Sequence, residues 1–304
     1  MALVLLLYSL FASTFTVSKV ALQHTQPLFL IGTRMGFAGL IMLLYVIFFQ
    51  KEKIQWSFSL VLRLSLLGFC NIWLVNALEF WGLEHLTSFK TCFIYSLSPF
   101  ISALLSYIIF KEALSPRKWA GFLVGLIGFI PILTHLSQGE EVGGQFWIFS
   151  WPEIYVMGAA IGSCYGWILL RQLITENKCP PVFANGASMF IGGVLATGHS
   201  FLTEDWSPLP ISDLVPFIQS AVALMIISNF IAYNLYGYLL KRYTATFLSF
   251  AGFTTPIFTA LFGTFFLGEE VTTPFLISSL IVFIGLFLFN QEELKSGIKQ
   301  QPAT

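Results

Sequence analysis

The chain has 304 residues, of which 56% are hydrophobic and only 10% are charged. Soluble domains carry about 25% charged residues, so this composition excludes an ordinary water-soluble protein and is typical of an integral membrane protein. Fifteen basic and fifteen acidic residues balance to a net charge of zero, which excludes the basic surface that nucleic-acid binding requires. The four cysteines form no CxxC pair and are interpreted as small core side chains.

Apolar stretches follow one another along the chain, each about long enough to cross a hydrocarbon core roughly 30 Å thick. Ten helical spans are predicted, at residues 2–22, 28–49, 60–82, 87–109, 117–136, 153–174, 182–202, 214–238, 245–267 and 274–290. No basic region precedes the first stretch, which is therefore predicted to be a helix rather than a signal peptide. These spans leave no segment for a soluble catalytic domain.

The basic residues are concentrated at every second connection between the spans. Twelve of the fifteen lysines and arginines lie on one side, in or beside the connections that follow an even-numbered span or in the tail. Because cytosolic connections are enriched in Lys and Arg, both termini are predicted to be cytosolic. The opposite connections hold acidic residues instead, among them Glu140, Glu204 and Glu269. Three basic residues break the pattern in the outer half of the membrane: Lys19, Arg34 and Lys90.

Two parts of the chain repeat one another. Pro99, Glu112 and Gly128 recur 157 residues later as Pro256, Glu269 and Gly285, and Asn71 and Asn76 recur 158 residues later as Asn229 and Asn234. Because five is odd, two copies of five spans have opposite orientations, an arrangement that in transporters places the substrate near the membrane midplane. The predicted organisation is therefore a first five-helix repeat at 1–136, an extracytoplasmic connection at 137–152, a second repeat at 153–291 and a cytosolic tail at 292–304.

Polar and aromatic side chains on the first, third, fourth, eighth and ninth spans are the candidate substrate-binding residues. They are Lys19, Asn71, Trp73, Asn76, Glu79, Lys90, Tyr95, Ser98, Asn229, Tyr233, Asn234 and Phe253. Two cations, one acid, paired amides and many rings suit a ligand that has a carboxylate, a positive group and a flat ring. The chain has no P-loop and no HExxH motif, so neither an enzyme, a cofactor nor a metal site is predicted.

Several of these residues have more than one interpretation. Lys90 either contacts a ligand, pairs with Glu79 or extends to the membrane surface as lysines do near helix ends. Ser98 and the asparagines serve either helix packing and interhelical hydrogen bonds or ligand contact. Arg34 and the glutamates at the span ends are interpreted as structural, and Pro99 and Pro256 are expected to bend their helices.

The segment "LTSFKTCFIYSLSPFISALLSYIIFKEALSPRKWAGFLVGLIG" resembles the signature of the EamA-like branch of the drug/metabolite transporter superfamily. "PLFLIGTRMGFAGLIMLL", which contains Arg34, is similar to the second helix of that family. The resemblance covers essentially the whole chain. It implies a ten-helix transporter of a small metabolite in a bacterial inner membrane, with the lipid bilayer as its surroundings and no cofactor. It leaves the oligomeric state open.

The overall sequence also resembles the branch of that superfamily found in obligate intracellular bacteria, which imports S-adenosylmethionine and exports S-adenosylhomocysteine. The resemblance implies uptake of S-adenosylmethionine in exchange for S-adenosylhomocysteine. The alternative is export of amino acids or related metabolites, with or without proton coupling.

Overall fold

The computed structural model describes residues 2–49, 56–110, 115–137, 140, 144–147, 149–177, 179–240 and 245–297. In this part the secondary structure is helical apart from one small antiparallel hairpin, in which β1 (Gln145–Phe146) pairs with β2 (Phe149–Ser150), and an isolated bridge between Thr25 and Ile211. The helices are α1 (Ala2–Leu22), α2 (Pro27–Phe49), α3 (Phe58–Leu67), α4 (Val75–His85), α5 (Ser88–Tyr95), α6 (Ser98–Phe110), α7 (Pro116–Leu133), α8 (Trp151–Thr175), α9 (Pro181–Thr203), α10 (Leu214–Leu224), α11 (Tyr233–Leu240), α12 (Ala245–Ala251), α13 (Thr254–Phe262) and α14 (Thr273–Gly297).

The predicted all-α membrane class agrees with the length and composition of these helices. Within the described ranges, eight helical stretches are long and apolar enough to cross a membrane, and those at 58–85, 88–105 and 214–232 combine consecutive shorter segments. The predicted spans at 182–202 and 245–267 are not among the eight. The first of them is the continuous helix α9, whose 23 residues include glycines and polar side chains that lower its hydropathy. The second is divided into shorter pieces.

The fourth and ninth spans are not continuous helices, and in this respect the prediction was wrong. α5 ends at Tyr95 and α6 begins at Ser98, while α12 and α13 are separated at the equivalent point of the second repeat. Pro99 and Pro256 lie in the first turn of the helix that follows each break. A proline is tolerated there because the first N–H groups of a helix have no intrahelical partner. The prolines therefore follow breaks instead of bending continuous helices.

The break changes which side chains share a face. Thr91, Tyr95, Ser98 and Ser102 follow one another at spacings of four, three and four, which predicts a single polar face if the fourth span is one unbroken helix. In the structure Thr91 is fully buried, Tyr95 and Ser98 are partly buried, and Ser102 is exposed. The helical periodicity of α5 does not continue across the turn into α6. These four residues therefore do not lie on one face of a single helix.

π-helical segments interrupt both the third and the eighth span. The first segment (Gly68–Leu74) joins α3 to α4, and the second (Met225–Ala232) joins α10 to α11. They occupy equivalent positions of the sequence repeat, and each contains the first asparagine of its pair, Asn71 or Asn229. Single-turn π segments inside α-helices are rare and are frequent at functional sites. A third π segment, Gly263–Leu267, follows α13.

Backbone contacts divide the chain into two compact units. The first unit comprises Met1–Thr16, His85–Met157 and Ile227–Thr304, and the second comprises Val17–Glu84 and Gly158–Ile226. In the first unit α7 packs on α14 and α5 packs on α13, while in the second unit α2 packs on α9. Each of these pairs joins a helix of one predicted repeat to a helix of the corresponding span in the other, so each unit contains helices from both repeats.

Glycines allow the closest helix pairs to form. A Cβ atom on Gly121 of α7 would lie 2.6 Å from the backbone nitrogen of Phe289 and 2.7 Å from the carbonyl oxygen of Gly285 on α14. A Cβ atom on Gly39 of α2 would lie 2.7 Å from the carbonyl oxygen of Gly186 on α9. Membrane helices approach closely where small residues face each other, because packing rather than the hydrophobic effect holds them together.

Candidate functional site

Lys90 lies in the first turn of α5, in the first unit, and is 1% exposed. Its Nζ is 2.8 Å from Oε1 of Glu153, 3.1 Å from Oε2 of Glu140 and 3.0 Å from the carbonyl oxygen of His135. An ammonium group has three donors, so all of them are used. The carboxylate partners of Lys90 are thus Glu140 and Glu153 rather than Glu79, and its burial excludes extension to the surface. In this conformation Lys90 has no donor left for a ligand.

Carboxylates also cap the N-terminus of α5. Oε1 of Glu140 accepts hydrogen bonds from the backbone nitrogen of Thr87 at 3.1 Å and from its hydroxyl at 2.9 Å. The carboxylate of Glu269 accepts from the backbone nitrogen of Ser88 at 2.7 Å and from its hydroxyl at 2.6 Å. These bonds satisfy N–H groups that the helix itself leaves without partners, and negative charge at a helix N-terminus is favourable. The acidic residues of two connections therefore hold α5 by its N-terminal end.

The other end of α5 carries Tyr95. Residues Ser88 to Ile94 are all buried, whereas Tyr95 is partly buried at the point where the helix ends. Its ring centroid lies 5.8 Å from that of Phe15 on α1, in an edge-to-face arrangement. The hydroxyl of Ser98 donates to the carbonyl oxygen of Tyr95 at 2.6 Å, a bond that closes the turn between α5 and α6. A short helix fixed at its buried end thus places Tyr95 at the helix break.

Further rings of the first unit lie along α1. The centroid of Phe11 is 6.3 Å from that of Tyr8, 6.2 Å from that of Tyr233 and 6.5 Å from that of Tyr236. We call the set Tyr8, Phe11, Phe15, Tyr95, Tyr233 and Tyr236 the aromatic row. Its members come from α1, α5 and α11. The sequence predicted Tyr95 and Tyr233 as ligand contacts, but it held no signal that would place them along α1.

Two other candidates of the first unit are buried. Phe253 is 5% exposed and packs in the phenylalanine core, with ring centroids 6.2 Å from both Phe93 and Phe283. Asn229 is fully buried in the second π segment. Asn234 is the second residue of α11, and its side chain lies outside the described part of the chain.

In the second unit Asn76 connects α2 to the first π segment. Nη2 of Arg34 donates to Oδ1 of Asn76 at 2.9 Å, and Nδ2 of Asn76 donates to the carbonyl oxygen of Ile72 at 2.8 Å. The guanidinium group also lies over the ring of Phe80, 5.3 Å from its centroid. Arg34 and Asn76 are both buried. These contacts agree with the structural interpretation of Arg34 and give Asn76 the interhelical hydrogen bond that was one of its two interpretations.

The remaining candidates of the second unit lie at separate places. Nζ of Lys19 donates to the carbonyl oxygens of Leu83 at 2.6 Å and Glu84 at 3.1 Å, at the C-terminal end of α4, where a cation is favourable. The ring of Trp73 contacts those of Phe69 and His199, with centroids 4.8 and 5.5 Å away. Asn71 packs against Gly166 of α8, and Glu79 is partly buried on α4.

The chain matches a known family of membrane proteins. The model of the EamA-like transporter family matches residues 1–134 and 150–291. The chain therefore belongs to the EamA-like transporter family, and it is a multi-pass membrane transporter rather than an enzyme. This membership confirms the family and the class of function predicted from the sequence.

Individual relatives are similar over nearly the whole chain. The S-adenosylmethionine/S-adenosylhomocysteine transporter of Chlamydia muridarum is 37% identical over 289 residues, which are 95% of this chain and 90% of that protein. The transporter of the same name from Chlamydia trachomatis serovar L2 is 35% identical and covers 95% of this chain and 88% of its own. A solved crystal structure superimposes with a TM-score of 0.66 at 16% identity, over 98% of this chain and 96% of its own. That likeness shows the fold alone.

Proposed function

We propose that the protein takes up S-adenosylmethionine in exchange for S-adenosylhomocysteine across a bacterial inner membrane. The observation that carries the proposal is the 35–37% identity, over 95% of this chain, to Chlamydia transporters with that name. Exchange of a substrate for its own spent product needs no coupling ion, because the outward concentration gradient of the product drives uptake of the substrate. Among the candidate ligand contacts predicted from the sequence, Glu79 is the one acid that could carry a coupling proton.

The chemistry of the partly buried rings supports this ligand. S-adenosylmethionine has an amino-acid end, a sulfonium cation and an adenine ring. Aromatic faces attract cations and stack on flat rings, and Tyr95 and Tyr233 both lie in the aromatic row of the first unit. We propose that these two tyrosines contact the ligand. Ligand contacts by Asn71, Trp73, Glu79, Ser98, Asn229, Asn234 and Phe253 remain predictions.

For the cations and Asn76 we propose supporting roles. Lys90 holds the N-terminal end of α5, Lys19 binds the carbonyl oxygens at the end of α4, and Asn76 links Arg34 to the first π segment. Each is already engaged with the protein, and for Lys90, whose charge is buried and paired, release would be costly. These residues therefore position helices instead of meeting the ligand.

The proposal includes ten spans in two inverted five-helix repeats with both termini in the cytosol. The recurrence of π segments and helix breaks at equivalent repeat positions supports the duplication. The alternation of basic and acidic connections supports the orientation. Discontinuous helices in both halves are a recurrent feature of transporters built from inverted repeats.

A counterflow experiment tests the function. Purified protein is reconstituted into liposomes that contain S-adenosylhomocysteine, and entry of labelled S-adenosylmethionine is followed. We expect rapid entry that requires internal S-adenosylhomocysteine and that continues after a proton ionophore is added. Protein-free liposomes are the control. Competition by aromatic amino acids, together with dependence on a pH gradient and no effect of S-adenosylhomocysteine, would favour the amino-acid exporter instead.

A further inference from the structure

Tyrosine and phenylalanine occupy different places in the first unit. Its core contains phenylalanine rings that are 0 to 6% exposed, namely Phe89, Phe93, Phe100, Phe129, Phe253, Phe275 and Phe289. The aromatic row instead contains four tyrosines and two phenylalanines, and all but Tyr8 are only partly buried. A tyrosine in an apolar environment needs a polar partner for its hydroxyl. The distribution therefore separates a packing core from a face equipped with hydroxyl groups.

Three helices direct their rings to one side of α1. Phe11 and Phe15 are four residues apart and so lie on the same face of that helix. Phe11 is edge-to-face with Tyr233 at 81° and with Tyr236 at 68°, and Phe15 is edge-to-face with Tyr95 at 62°. Edge-to-face packing fills less of the space above a ring than stacking does. The two phenylalanines share one face of α1, and the tyrosines of α5 and α11 therefore border that face.

The position of this surface is fixed from both ends. Tyr8 donates its hydroxyl proton to the carbonyl oxygen of Leu248, which anchors the first ring of the row. At the other end Tyr95 belongs to α5, whose N-terminus is held by Lys90, Glu140 and Glu269. A binding surface whose side chains are already ordered loses less conformational entropy when a ligand arrives. These anchors make the row suitable for a rigid, flat ligand group.

We propose that the aromatic row binds the adenine ring of the transported nucleoside, with Phe11 and Phe15 as residues that determine specificity for the base. The inference rests on the proposed function and assigns one part of the ligand to one surface. Bases stack on aromatic side chains, and the loss of one stacking ring weakens binding by about tenfold. The tyrosine rings of the row add further aromatic faces for the base. Phe11, Phe15 and Tyr236 were not among the contacts predicted from the sequence.

The test compares two ligands that differ only in the base. S-ribosylhomocysteine is S-adenosylhomocysteine without adenine, and the affinity of each is measured by calorimetry on the purified full-length protein. The wild-type protein is expected to bind S-ribosylhomocysteine about tenfold more weakly than S-adenosylhomocysteine. Phe11→Leu and Phe15→Leu should weaken the binding of S-adenosylhomocysteine by a similar factor and should leave the affinity for S-ribosylhomocysteine unchanged. Phe11→Trp, which keeps a stacking face, should retain affinity.

A matched control separates binding from folding. Phe93 is fully buried and its ring lies 4.7 Å from that of Phe129, so Phe93→Leu should lower the unfolding temperature without changing the preference for the adenine-containing ligand. Equal affinities of wild-type protein for the two ligands would overturn the inference, as would a Phe11→Leu variant that loses affinity for both to the same extent. Failure of the wild-type protein to bind S-adenosylhomocysteine or S-adenosylmethionine would overturn the proposed function itself.

Discussion

Lys90 and Glu153 form an ion pair of 2.8 Å in which each side chain is only 2% exposed. Glu140, whose side chain is completely buried, contributes a second carboxylate to the same ammonium group at 3.1 Å. The charge that interrupts an otherwise apolar span is thus neutralised by residues that lie fifty or more positions further along the chain. The cluster joins α5, the connection after α7 and the first turn of α8 within one unit.

Lys90→Met is expected to destabilise the protein by about 3–5 kcal/mol, because it leaves two buried carboxylates without their counter-ion. The unfolding temperature in detergent is the measurement. Arg63→Met is the control, since Arg63 pairs with Glu176 at the surface, where the side chains are 31% and 53% exposed. An exposed pair of this kind contributes at most about 1 kcal/mol.

The double variant Lys90→Met/Glu153→Gln should recover part of the loss, because it removes one of the two uncompensated charges. An unchanged unfolding temperature in Lys90→Met, combined with weaker substrate binding, would contradict the supporting role. That result would favour the ligand contact that the sequence first suggested for Lys90.

Glu269→Gln should reduce stability by about 1–2 kcal/mol, because the charged acceptor for the Ser88 backbone and hydroxyl is lost at the N-terminus of α5. Chemical denaturation in detergent measures the effect. The neighbouring Glu270 is exposed, and Glu270→Gln should stay within about 0.5 kcal/mol of the wild-type protein. Equal losses of stability in the two variants would show that the Glu269 cap contributes no more than an exposed charge does.

Gly39→Ala should destabilise the packing of α2 on α9 by about 1–3 kcal/mol, because the new Cβ atom would lie 2.7 Å from the carbonyl oxygen of Gly186. Gly36 is one turn earlier on the same helix, and a Cβ atom there would meet nothing within 4 Å. Gly36→Ala should therefore be neutral or stabilising by up to about 1 kcal/mol, the gain in helix propensity. Thermal unfolding of both variants checks the contrast, and a larger loss for Gly36→Ala would contradict the close approach at Gly39.

Gln145→Cys and Ser296→Cys are expected to react with an impermeant maleimide from opposite sides of the membrane. Gln145 is exposed in the hairpin that follows α7, and Ser296 lies near the end of α14. Labelling of intact cells and of inverted vesicles gives the readout. Reaction of both variants from the same side would refute the ten-span inverted repeat.

Native cysteines should interfere little with that labelling. Cys92, Cys164 and Cys179 are buried, and burial raises the pKa of the Cys179 thiol to about 11. At pH 7 Cys179 is therefore a neutral thiol, and its reaction with maleimide should be slow and should accelerate as the pH approaches 11, because the thiolate is the reactive form. The partly buried Cys70 is replaced by alanine in the labelling background.

Some irregularities of the fold had signals in the sequence. The residue before a proline is disfavoured in the α conformation, and Ser98 precedes Pro99 just after the break between α5 and α6. Reading the fourth span as one helix passed over this signal and produced the incorrect polar face. The π segments had no comparable signal, because glycine and asparagine also occur in regular membrane helices.

The sequence by itself determined the membrane class, the helical composition, the family and the approximate bounds of the spans that are continuous helices. A bilayer offers no partners for backbone polar groups, so each span must satisfy its own and must be apolar over its length; this makes spans recognisable from local composition. Only the tertiary structure decided which acids neutralise Lys90, which rings line α1 and which helices share a unit. Those contacts join residues far apart in the chain and depend on how the connections between spans fold. The periodicity within a single span holds no information about them.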